Sequence, residues 1–191
     1  MSQGLEVSQV SKVSKVSMRI LALAGLLASI AAPLSAQAFD PEARLKELGI
    51  TLPTPDKPVA NYVKAVRTGN LVFLAGHGPC GDFNRPDIQG RVPSQKSIEQ
   101  GYEIAKLTAI CLLASLKQEV GDLKKVKRVV KVLGMVLSDQ GFDRQPSVIN
   151  GASDLFVKVF GERGKHARSA VGMYALPFNI TTEIEMIVEV E

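Results

Sequence analysis

The closing segment 181–190 (TTEIEMIVEV) constrains the chain more than any other stretch. Ile184, Met186, Val188 and Val190 alternate with Glu183, Glu185, Ile187 and Glu189. A period of two puts the first set on one face of a β-strand and the second set on the other. Such a strand needs a sheet with one buried face, which excludes an all-helical fold. Residues 128–137 (RVVKVLGMVL) are apolar nearly throughout and read as a buried strand. Residues 94–120 supply a cover for it. Ser94 can cap this helix, Gly121 ends it, and Ile98, Tyr102, Ala105, Ala109, Leu112, Leu113 and Leu116 form one apolar stripe. A second helix is predicted over 145–161, with Val148, Ala152, Leu155, Phe156 and Val159 on one side.

The remaining elements are shorter. Residues 40–49 read as a helix, with Asp40 as cap, Pro41 in the first turn and Gly49 as stop. Three prolines within 50–58 make an extended lead-in. Tyr62–Val66 and Asn70–Ala75 flank Arg67-Thr68-Gly69 as a β-hairpin. Residues 76–93 hold four Gly and three Pro and form a long loop, of the kind that tends to be functional. Residues 169–175 and 181–190 are the last two strands. The order is β-β-α-β-α-β-β, an α+β fold with a mixed sheet and two helices on one face. The uncovered face must meet water or a partner, and the apolar run 128–137 favours a partner, so an oligomer is expected.

Residues 1–38 read as a targeting segment. A polar N-terminal extension leads into Met18-Arg19, and an uncharged stretch of 15 residues, Ile20–Leu34, precedes Ala36-Gln37-Ala38. A basic start, a short apolar core and an A-x-A site make a secretory signal, too short for a comfortable membrane span. Export, to the periplasm, is the expectation, with the domain occupying 39–191 and no membrane contact after cleavage. Removing Lys12, Lys15, Arg19 and Glu6 leaves 20 basic and 18 acidic residues out of 23 and 19. A net charge of +2 and aromatics at 5% give no footprint for nucleic acid. The basic cluster Lys124, Lys125, Lys127, Arg128 and Lys131 reads as a solvated side of one element. Cys80 and Cys111 are available to pair in an exported protein, yet two cysteines make no disulfide framework. His77 and His166 fall in no ligand-spaced motif, so no metal and no other cofactor is expected. His77 reads as a solvent-facing loop residue, and His166 carries no assigned role.

The run HARSAVGMYALPFNITTEIEMIVEV resembles the signature of the reactive intermediate deaminase family, also called the YjgF or L-PSP family. The matching features are an Arg-Ser pair opening a strand, a Leu-Pro turn and a Glu-rich closing strand. NYVKAVRTGNLVFLAG resembles the family's first two strands, and SVINGASDLFVKVFGE its second helix. The likeness covers roughly residues 43–191, and the lead ARLKELGITLP is similar to that of a longer, divergent branch. The resemblance implies a chorismate-mutase-like fold and a homotrimer with inter-subunit clefts for small 2-imino or 2-oxo acids. It implies Arg168 as the carboxylate clamp, Glu183 as the group that handles water, and Asn150, Tyr62 and Gly76 as substrate-binding positions. Two positions depart from the pattern: Ala75 stands where a Ser is expected, and Ala170 where a Cys is frequent.

Hydrolysis of an imine needs a cation for the carboxylate, donors that polarise C=N, and a base near the water. An Arg guanidinium offers a planar two-donor fork that matches a carboxylate. Of Glu183 and Glu185, only one is expected to face the cleft. Taken alone, Arg168 would read as a surface ion pair, Glu183 as a solvated strand residue, Tyr62 as an edge aromatic and Asn150 as helix surface. Two functions follow: a trimeric deaminase of small 2-imino acids, or a non-catalytic binder of small carboxylates in the same clefts.

Overall fold

The computed structural model describes residues 39–58 and 60–191. The proposed targeting segment lies outside the described residues. The elements run α1 (Pro41–Glu47), β1 (Ala65–Thr68), β2 (Leu71–His77), α2 (Ile98–Val120), β3 (Val126–Leu137), α3 (Gln145–Phe160), β4 (Ala167–Met173) and β5 (Thr182–Val190). They build one five-stranded sheet of order β1-β2-β5-β3-β4. Neighbours are antiparallel except β3 and β4, which run parallel because α3 crosses between them. The α+β order read from the sequence is therefore the observed one.

Local chemistry sets the boundaries. Asp40 accepts from the Ala43 N–H at 3.0 Å, with Pro41 opening α1. Helix α2 starts three residues later than its first Ser suggests. Ser97 caps it instead, with Gln100 returning the bond to complete a capping box. The hairpin turns on Gly69-Asn70, which pairs Thr68 with Leu71 and shifts β1 along to 65–68. Tyr62 consequently sits in the bend before β1 rather than on it. Strand β2 runs on through His77, so Gly76 and His77 belong to the sheet and not to the loop.

Helices α2 and α3 lie together on one face. Val72, Leu74, Val129, Val132, Val136, Ile184, Met186 and Val188 rise from the sheet to meet Ala109, Leu112, Leu116, Ile149, Ala152 and Phe156. Each such Leu, Ile or Phe contributes roughly 1.5–3 kcal/mol by leaving water. Gly151 lets the helices close up, since a Cβ there would run into the Tyr102 carbonyl oxygen. Cys80 and Cys111 form a disulfide that stitches the loop after β2 onto α2. Lys124 pairs with Asp40 at 2.8 Å, so one member of the basic cluster ties the start of α1 to the turn before β3. Among the described residues, no helix covers the second face of the sheet. It presents Val66 and Phe73, 54% and 41% exposed, beside Leu133, Lys131, Glu185 and Ile187.

Candidate functional site

The sheet divides the five sequence-selected residues into two groups. Tyr62, Gly76 and Glu183 line one cavity of about 370 Å³, together with Ala75, Phe83, Pro177, Phe178 and Ile180. This cavity opens where β2 and β5 lose register between Leu74 and His77. The irregularity turns Gly76 towards Glu183, and a Cβ at Gly76 would collide with Glu183 Oε1. A larger residue there would make the Glu183 carboxylate move from this position.

His77 holds the irregularity in place. Contrary to the solvent-facing expectation, it is 3% exposed. Its Nδ1 lies 2.6 Å from the Ala75 carbonyl oxygen and its Nε2 lies 2.8 Å from Ser115 Oγ on α2. A neutral ring satisfies both bonds: Nδ1–H donates to the carbonyl, and Nε2 accepts from the hydroxyl. Burial pushes its pKa down to about 4. The misreading came from placing the strand end at Ala75, two residues early.

Glu183 is half-buried on the face away from the helices. Burial raises its carboxyl pKa, and the neighbouring Glu185 carboxylate adds to the rise. Glu183 and Glu185 are two residues apart on one strand. They share a face, which corrects the expectation that only one of them can be presented there. What separates them is position along the strand: Glu183 lines the cavity at Gly76, and Glu185 lies beside Phe73, Leu133 and the cationic Lys131.

Arg168 and Asn150 form the second group. Arg168 Nη1 donates to Asn150 Oδ1 at 2.8 Å and to Ser153 Oγ at 3.0 Å. Asn150 and Ser153 are one turn apart on α3, so they share a face. Ser153 Oγ lies 3.1 Å from His166 Nε2, and His166 Nδ1 lies 2.6 Å from the Gly164 carbonyl oxygen. With His166 neutral, Nδ1–H donates to the carbonyl, the Ser153 hydroxyl donates to Nε2, and Ser153 Oγ is left to accept from Arg168. Burial lowers the His166 pKa, and the Arg168 charge lowers it further. His166, given no role from sequence, thus braces the serine that braces Arg168.

The two groups do not meet within one chain. Arg168 shares a row with Val132 and Met186, and Met186 is buried beneath the helices. Glu183 shares a row with Met135 and Val171, on the opposite face. The rows are three residues apart, about 10 Å along the strands, and the two side chains stand two strands apart, about 10 Å across. Among the described residues neither Arg168 nor Glu183 makes an ion pair. Phe83, Phe178 and Ser153 were not selected from sequence. The i, i+3 spacing of Asn150 and Ser153 was a legible signal for the last of them.

Residues 42–190 match the family described as "YjgF/chorismate mutase-like, putative endoribonuclease". "Protein TCP17" of Trypanosoma cruzi is 38% identical over 148 residues, covering 77% of this chain and 92% of that one. The structure of Atu1372 from Agrobacterium tumefaciens, of unknown function, is 43% identical with a TM-score of 0.73, covering 79% of this chain and 92% of that one. A "putative endoribonuclease" from Shewanella oneidensis is 27% identical with a TM-score of 0.75, covering 79% and 99%. The chain belongs to the YjgF/chorismate mutase-like family.

Proposed function

We propose that this YjgF-family chain assembles as a homotrimer and hydrolyses small 2-imino acids to 2-oxo acids in clefts between copies. One observation carries the reading. Among the described residues, the Arg168 fork has no carboxylate partner and the Glu183 carboxyl no cationic partner, and the two stand on opposite faces of one sheet. Each is half of a site, and a second copy can supply the other half. The uncovered sheet face, with Phe73 and Val66 exposed, is the surface on which copies would pack.

The chemistry follows from the residues. Arg168, held in place by Asn150 and Ser153, takes the substrate carboxylate through its fork. Water adds to the imine carbon, the nitrogen takes up protons, the C–N bond breaks with release of ammonia, and the C=O bond of the 2-oxo acid remains. Glu183 takes the proton from the attacking water and returns it to the departing nitrogen. Its raised pKa brings it closer to neutral pH, where a general acid–base group works best. Gly76 presents backbone beside that carboxyl. A phosphodiester substrate fits poorly, because the ionisable groups among this cavity's described lining residues are the Glu183 carboxyl and the Tyr62 phenol, neither of them a cation.

A second reading has one observation in its favour. Ala75 lines the cavity where the family resemblance expects a hydroxyl, so fewer donors polarise the substrate. On that reading the clefts bind small carboxylates without turnover. Mixed trimers test the first reading. Arg168→Ala and Glu183→Gln are each expected to be inactive on 2-iminobutanoate generated in situ. Co-folded at equal amounts, they should recover about a quarter of wild-type ammonia release, because some clefts then join an intact Arg to an intact Glu. No recovery would mean both residues serve one chain's site. Binding of 2-oxobutanoate with no turnover by any form would favour the binder. Residues 1–38 are proposed to direct export, which N-terminal sequencing of the secreted protein at Phe39 checks.

A further inference from the structure

The cavity beside Glu183 has a wall that the hydrolysis itself does not use. The Phe83 and Phe178 rings stack with centroids 5.1 Å apart and planes 22° from parallel. They come from the loop after β2 and the turn before β5, 95 residues apart in sequence. One side chain joins the two segments. Gln89 Nε2 donates to the Phe83 carbonyl at 3.0 Å and to the Phe178 carbonyl at 2.8 Å. The Gly90 N–H donates to the Asn179 carbonyl and the Thr181 N–H to the Ile88 carbonyl, so the loop and the turn form one unit.

Phe178 has φ +56, a left-handed conformation that a bulky aromatic residue rarely adopts. Its side chain is half exposed, so burial of the ring in this chain does not account for the strain. Strain of this kind persists where the surroundings over-determine it, and it concentrates at ligand clamps. The turn therefore holds an aromatic ring at the cavity mouth against the preference of its own backbone. Ile180 and Tyr62 continue the apolar wall, and Ala75 adds a methyl group. A mostly apolar cavity with one ionisable carboxyl orients a ligand by its polar end and selects it by its apolar end.

We propose that the Phe83–Phe178 pair is the side-chain subsite of this cavity and selects 2-oxo and 2-imino acids with branched aliphatic or aromatic side chains over two- to four-carbon ones. The proposal rests on the reading of Arg168 and Glu183 given above. A three-carbon acid offers this wall a single methyl group. Each further buried methylene tightens binding by about fourfold.

Calorimetry on the full chain tests it, with pyruvate, 2-oxobutanoate, 4-methyl-2-oxopentanoate and phenylpyruvate as probes. The last two should bind at least about tenfold more tightly than pyruvate. Phe178→Asn removes the ring and installs a residue that tolerates the left-handed backbone, so the fold should be kept or strengthened. In that variant the ratio should fall towards one. Thermal unfolding of the same sample verifies that it is folded, and Phe83→Leu should lower the phenylpyruvate preference in the same direction. Equal affinities for all four acids in wild type, lost in Arg168→Ala, would overturn the subsite and leave the carboxylate clamp standing. A preference unchanged in Phe178→Asn and Phe83→Leu would also overturn it. Binding of every acid undiminished by Arg168→Ala would overturn the clamp and the proposal together.

Discussion

The Glu183 cavity and the Arg168 edge are built by opposite means. The cavity depends on a place where the sheet is irregular, between Leu74 and His77, and on a strained turn at Phe178. Its ionisable group is half-desolvated and makes no side-chain hydrogen bond among the described residues. The edge is regular strand against regular helix, and its cation, Arg168, rests on a continuous chain of neutral partners: Ser153, His166 and the Gly164 carbonyl. A carboxyl meant to gain and lose a proton is served by burial and a nearby like charge, which bring its pKa up. A cation meant to hold a carboxylate is served by acceptors that fix its fork without neutralising it. This contrast is the basis for proposing an acid–base half and a clamping half.

The largest expected effect separates the halves by ligand binding. Arg168→Ala should cost about 2–5 kcal/mol in affinity for a 2-oxo acid, about 30-fold or more, while Glu183→Gln binds nearly as wild type. Isothermal titration of both variants reads this directly, and equal losses would erase the division of labour.

Acid should attack the cavity half through His77. Its folded pKa of about 4 lies below the unfolded value of 6.5, so the unfolded chain binds the extra proton between those limits. Stability is present above about pH 6.5 and is lost as pH falls towards 4, by on the order of 3 kcal/mol. Denaturant unfolding across that range should show the slope in wild type and a flatter profile in His77→Asn.

On the edge half, Ser153→Ala should free the guanidinium from one of its two anchors. A loss of about 1 kcal/mol, several-fold in ligand affinity, is expected with assembly unchanged. Undiminished affinity would show that Asn150 alone holds the fork.

The smallest effect concerns the cost of the raised carboxyl. A folded pKa above the unfolded one means stability present at low pH and lost as pH rises through the folded value. Glu183→Gln should therefore raise the melting temperature slightly at neutral pH. That gain should shrink as the solution is acidified, a trade of function against stability. A lower melting temperature at neutral pH would show that the carboxylate is held by contacts rather than merely desolvated.

Much of this molecule was legible in one dimension. The alternation of 181–190, the apolar run 128–137 and the stripe on α2 required a sheet with helices on one face, because periodicity reports burial directly. The signature around Arg168-Ser169 and Leu176-Pro177 pointed to the family. Local signals misplaced boundaries by a few residues, and that was enough to misjudge His77 and to put Tyr62 on a strand. Tertiary structure alone decided which residues meet. The Gln89 bridge, the Phe83–Phe178 stack, the Cys80–Cys111 bond and the separation of Arg168 from Glu183 all join or divide positions far apart in the chain. Strand order and register set those distances, and a one-residue shift in register sends a side chain to the other face of the sheet.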